Sequence, residues 1–144
     1  MQPAGARVAR FLCPLAGVSI SLLPAFLAAR LSGTLDEVEA VVLAVEQAGG
    51  VAAALEQVHP AAAEHAIGQV CAMRSIRRRV RAVAAALLAI VTLMPERFMA
   101  VVPTLGALRA VLGTDRALVA LRAIAQQHLG ALPVPLGFGA RAKS

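Results

Sequence analysis

The side chains able to hold a metal or run acid–base chemistry are few. Three histidines and two cysteines occur in 144 residues, and His59, His65 and Cys71 follow one another at intervals of six. On a helix, positions i and i+6 point to different sides, so these three do not converge without a break. Structural zinc needs four thiolate or imidazole donors, and neither a metal site nor a cofactor is expected. Cys71, flanked by Val70 and Met73, reads as a small core residue of a reduced cytoplasmic protein. Two-metal carboxylate chemistry needs acids held close together. Only Asp36 and Asp115 are aspartates, and the glutamates sit mostly in one acidic stretch at helical spacing, where a solvated face accounts for them. With no tyrosine, no glycine-rich phosphate loop and no Ser-His-Asp arrangement, an enzyme is not expected.

What the sequence does offer is unevenly placed charge. Residues 1–34 carry three arginines (+3), residues 35–73 six acids and no base (−6), and residues 74–144 eleven bases against Glu96 and Asp115 (+9). Six of those eleven bases lie between Arg74 and Arg97. Arg74, Arg77, Arg78 and Arg81 recur at spacings of three and four, which places them on one helix face. Such a row is either a solvated face or a patch whose field attracts phosphates or anionic lipid. Arginine pairs with phosphate oxygens in a bidentate geometry, and phosphate contacts give affinity without sequence choice. Base readout would fall to side chains such as Gln69, Arg74 or Ser75. Four phenylalanines and no tryptophan or tyrosine argue against a stacking surface for single-stranded nucleic acid.

The elements that must position these residues read as helices. Alanine supplies 33 residues, so much of the mean hydropathy of +0.75 comes from a small helix former. Thr34 with Glu37 three residues on forms a capping box, and Leu35, Val38, Val42 and Val45 follow at helical spacing until Ala48-Gly49-Gly50. A short helix over Val51 to Val58 closes at His59-Pro60, and the pair is compatible with a helix-turn-helix. From Pro60 to Met94 the pattern is helical with a break expected near Gly68. Met73, Ile76, Val80, Val83 and Leu87 share a face there. Glu96 to Val102 reads as a short helical turn. Thr104 and Thr114-Asp115 start two more helices, ending at Gly113 and Gly130.

Phe11 to Ala29 is a nineteen-residue run without charge, the outline of a signal or membrane anchor. Pro14 and Pro24 interrupt it, and proline inside a helix costs roughly 3 kcal/mol, which argues against a continuous spanning helix. Ala82 to Met94 is thirteen residues, too short at about 1.5 Å per residue to cross a hydrocarbon core of ~30 Å, and reads as a core helix.

The stretch from Arg10 to Pro24, RFLCPLAGVSISLLP, resembles the second knuckle of a zinc ribbon in an uncharacterised group of transposon-associated, transposase-like bacterial proteins, where R-[FY]-x-C-x-x-C-G-x-T-[FV]-S-L-L-P precedes a helix-turn-helix. Leu27–Leu31, Gly33–Leu35, Val38–Val42, Arg77–Arg81, Met94–Phe98, Leu132-Pro133 and Leu136–Phe138 extend the similarity along most of the chain. The ribbon's second cysteine corresponds here to Ala16, and no Cys-x-x-Cys precedes Cys13, so the ribbon is degenerate or truncated and its hairpin is expected to stand without metal. The resemblance implies that Val51 to Val58 lies near the first helix of a helix-turn-helix and that the arginine-rich helix lies near DNA.

These readings combine into an all-α domain: a degenerate ribbon-like segment with a residual β-hairpin over 1–31, a helical domain over 32–130, and an extended or disordered tail over 131–144. The expected function is non-catalytic, cytoplasmic binding of duplex DNA for a mobile element, through Arg74, Arg77, Arg78 and Arg81, with a transposase or a second copy as further partner. The alternatives are a membrane-associated protein anchored through residues 11–29 and a helical protein-interaction module.

Overall fold

Thr34 and Glu37 start the first helix reciprocally. In the computed structural model, which describes residues 9–15, 17–22, 24–29, 31 and 33–139, the Glu37 N–H donates to Thr34 Oγ1 at 3.1 Å and the Thr34 N–H donates to Glu37 Oε2 at 2.8 Å. This capping box satisfies two donors that a helix start otherwise leaves open. Helix α1 (Leu35–Ala48) buries Leu35, Val38, Val42 and Val45 and ends at Gly49, whose φ of 77° is left-handed. Helix α2 (Val51–Val58) follows the Gly49-Gly50 turn and buries Ala54 and Leu55. Both occupy the spans that their caps and spacing predict.

Pro60 opens a single turn, α3 (Pro60–Ala63), and the long helix α4 (Ala66–Leu93) begins after Glu64 and His65. The break expected near Gly68 therefore falls at Glu64-His65. Gly68 is inside α4, where a Cβ would stand 3.2 Å from the Ala62 carbonyl oxygen. Its missing side chain admits α3 against the long helix. Ile76, Val83, Ala86, Leu87 and Ile90 form the buried stripe of α4. Helix α5 (Pro95–Phe98) stops short of the expected Val102, and Ala100 beyond it is left-handed with φ of 63°. Helix α6 (Leu105–Leu112) runs from the Thr104 cap to Gly113 as expected. Helix α7 (Ala117–Ile124) starts and stops inside the expected span and is followed by a 3-10 turn at Gln126–His128.

One core joins these helices: Val38 and Val42 of α1, Leu87 and Ile90 of α4, Phe98 of α5, Leu105 and Leu108 of α6, and Leu118 and Leu121 of α7. Each such side chain contributes roughly 1.5–3 kcal/mol on burial. A smaller cluster, Val45, Ala54, Leu55 and Ile76, holds α2 against α1 and α4.

The expectation of an extended or disordered tail over 131–144 fails for residues 131–139. Leu132 and Leu136 join the main core, and Val134, Pro135, Gly137 and Gly139 are buried with them. A Cβ on Gly137 would overlap the carbonyl oxygens of Leu129 and Leu132. The prolines and glycines here shape a packed loop, and the Val134-Pro135 peptide is cis. Residues 140–144, with Arg141 and Lys143, lie outside the described residues.

At the other end, strands β1 (Ala9–Cys13) and β2 (Val18–Leu22) pair antiparallel with Cys13 opposite Val18, giving the expected hairpin. The uncharged run from Phe11 to Ala29 is thus divided between two strands and a turn after Pro24. Ala16, where the ribbon pattern has cysteine, lies outside the described residues. Among the described residues no helix is long and apolar enough to cross a membrane.

Candidate nucleic-acid interface

Helix α4 contains no Asp or Glu in its 28 residues. Its apolar stripe faces the core, which turns Arg74, Arg77, Arg78 and Arg81 outward, and all four are exposed. They line one groove of about 890 Å³. The rest of its lining is apolar: Val70, Ala82 and Ala85 from α4 itself, with Leu31, Ala131, Pro133 and Val134 from outside that helix. The four arginines expected to act together are therefore brought together. Arg79, between them in sequence, turns away, donates to Ser75 Oγ and lines a second groove of about 420 Å³ with Glu37, Gln57 and His59. Ser75, one of the three candidates for base readout, is thereby engaged by a neighbour, while Gln69 and Arg74 are exposed.

Cys71 is exposed, not a core residue. It precedes Arg74 by three and Arg78 by seven positions, so it shares their face. Among the described residues no group of three or more His, Cys, Asp and Glu converges. His59 follows α2, and His65 occupies the position before α4 with no side-chain cap bond.

Helix α2 exposes Ala52, Ala53, Glu56 and Gln57 and carries no base. Of the two helices at this end, α4 alone presents cations to a polyanion. Its field is strengthened by where the carboxylates go. Glu39, only 2% exposed, accepts from the Ala117 and Leu118 N–H groups, each at 3.0 Å, and so caps α7 from α1. Glu46 accepts from the Leu105 N–H at 2.9 Å and the Gly106 N–H at 3.0 Å, capping α6. The acidic helix is thus no mere solvated face, and its acids hold the C-terminal helices by long-range capping.

The bases beyond α4 divide in the same way. Arg109 reaches Glu39 at 3.4 Å and Asp115 at 3.1 Å. Arg116 meets Asp36 at 2.9 Å, and this hydrogen-bonded carboxylate raises the guanidinium pKa above its usual value. Arg122, only 7% exposed, donates through Nε to the Leu136 carbonyl at 2.9 Å, through Nη1 to those of Ala25 at 2.9 Å and Leu27 at 2.5 Å, and through Nη2 to that of Pro135. Burial lowers its pKa. This clamp fixes residues 135–136, and with them the Pro133-Val134 wall of the groove. By contrast, Arg74, Arg77 and Arg81 have no hydrogen-bond or ion-pair partner among the described residues.

Glu39, Glu46 and Arg122 escape a reading by spacing because their partners lie far along the chain. A signal existed nonetheless. Glu39 follows Leu35 by four and precedes Val42 by three, and Arg122 follows Leu118 by four, so each falls on a buried stripe, where a charge must find partners. Comparison with protein-family models, with curated proteins and with solved structures finds no match for this chain.

Proposed function

We propose that this chain is a non-catalytic protein that binds duplex DNA through the outer face of α4. In the setting suggested by the N-terminal resemblance, it would serve a mobile element alongside a transposase. The observation that carries the reading is the row of Arg74, Arg77, Arg78 and Arg81, exposed together on a helix with no acid. Cations in such a row neutralise successive phosphates and release condensed counterions. Of the acids on α1, Asp36, Glu37, Glu39 and Glu46 are engaged elsewhere as caps and ion pairs.

Salt dependence tests it. Each phosphate contact adds a slope of about −0.9 to log K against log salt, so R77A/R81A should flatten the slope by about 1.8 while the helical circular dichroism is retained. Equal slopes in the two proteins, or no duplex binding at low salt, overturn the proposal. Binding to anionic vesicles without binding to duplex would give the arginines to a lipid surface instead.

A further inference from the structure

We infer that the groove between α4 and residues 133–134 is a binding site for a single-chain amphipathic anion, a long-chain carboxylate. Its volume of about 890 Å³ lies inside the range of roughly 300–1,000 Å³ typical of small-molecule sites. Charged and apolar surface meet within it. Arg74, Arg77 and Arg81 supply guanidinium groups, while Val70, Ala85, Pro133 and Val134 supply the apolar surface. The arginine stems extend that apolar surface toward the charged heads.

The two chemistries together select the ligand. A free phosphate or acetate would satisfy the guanidinium groups and leave the apolar wall wet. A neutral chain would fill the wall and leave the cations clustered without a counterion. A carboxylate with a long alkyl chain answers both, its head accepting paired N–H donors from an arginine and its methylenes each contributing to burial. A duplex lays its phosphates on the outer row of arginines and makes no use of the apolar wall, so this site does not depend on the DNA reading.

The protein's own remaining segments are poor occupants. Residues 1–8 carry Arg7, residue 30 is arginine, and residues 140–144 carry Arg141 and Lys143, with no acidic side chain among them. Like charge disfavours each of them beside the α4 row. Charge complementarity favours an anion that these residues do not supply.

Titration calorimetry on the full chain, with no DNA present, tests the site with laurate below its micellar concentration, acetate as head alone and dodecanol as chain alone. Laurate should bind one per chain, with acetate and dodecanol each at least about tenfold weaker. R77A/R81A should weaken laurate by about tenfold or more, the loss expected for charge-assisted hydrogen bonds, and leave dodecanol unchanged. Ala85→Glu, an exposed change on a helix, should weaken laurate by a similar factor by placing a carboxylate in the groove. Circular dichroism of both variants should match the parent. Laurate no tighter than dodecanol, several laurates per chain, or indifference to R77A/R81A with the fold intact overturns the site. Binding to anionic vesicles without binding of free laurate also overturns it. A chain that binds duplex but not laurate refutes this site alone, and one that binds laurate but not duplex refutes the DNA reading alone.

Discussion

The junction of α1, α6 and α7 and the outer face of α4 are both rich in charge, and they use it in opposite ways. At the junction, Glu39 and Arg122 are buried and Glu46 lies at the surface, and all three bind backbone N–H or C=O groups, at helix starts and in the loop around residues 135–136. On α4, four arginines turn outward beside one another, with no acid on their helix. A charge that satisfies buried backbone groups adds to stability because its removal leaves those groups without partners. A row of like charges on a surface adds nothing of the kind and repels itself. Folding accounts for the first set. In the second, Arg74, Arg77 and Arg81 have no such role among the described residues.

Arg122 gives the largest test of this contrast. Arg122→Met keeps the bulk of the side chain but leaves the carbonyls of Ala25, Leu27, Pro135 and Leu136 without their donor. The expected loss in urea unfolding is about 3–5 kcal/mol, the scale seen when one member of a buried polar set is removed. Arg122→Lys should recover only part, because an ammonium lacks the planar fork that reaches several acceptors at once. A loss under about 1 kcal/mol would show that these carbonyls find other donors, and the contrast between the two regions would collapse.

How much of this was legible follows from distance along the chain. The caps at Thr34 and Thr104 bond residues three positions on, so a local pattern finds them and the helices that they start. The four arginines lie within eight residues on one helix, so their common face is legible too. The wall opposite them is not, because Pro133 and Val134 reach the groove only through packing of the chain's last described segment. Composition misled there: two prolines and two glycines suggested a loose tail, whereas Leu132 and Leu136 anchor a buried loop. The acids of α1 misled for a similar reason. Their helical spacing was visible, but Glu39 caps a helix 78 positions away and Glu46 one 59 positions away.

Glu39 gives the second test, smaller because its losses sit at one helix start. Glu39→Ala removes the acceptor for Ala117 and Leu118 N–H and one partner of Arg109. About 2–3 kcal/mol of stability should be lost, a cap together with the burial of unmatched donors. Glu39→Gln retains an acceptor oxygen and should lose less. Equal stability of Glu39→Ala and the parent would return the acidic helix to a plain solvated face. Amide exchange should place the effect, with Ala117 and Leu118 losing protection before the α1 amides do.

The smallest expected effect is the most pointed, since it predicts a gain or nothing from removing two charges. In R77A/R81A the two positions are one helical turn apart, and each also neighbours Arg74 or Arg78 at three or four residues. Like charges at such spacings cost a helix about 0.2–0.5 kcal/mol per pair, and alanine is at least as good a helix former as arginine. The double variant should therefore match the parent or exceed its stability by up to about 0.5 kcal/mol at low salt. Added salt screens the repulsion, so the gap should close as ionic strength rises toward 1 M, where the screening length is about 3 Å. A clear loss of stability at low salt would mean that these side chains hold the fold through contacts of their own, and the α4 row would then belong with the junction. A gain that salt removes would mean that the row is maintained against a folding cost, which is what a surface kept for an anionic partner requires.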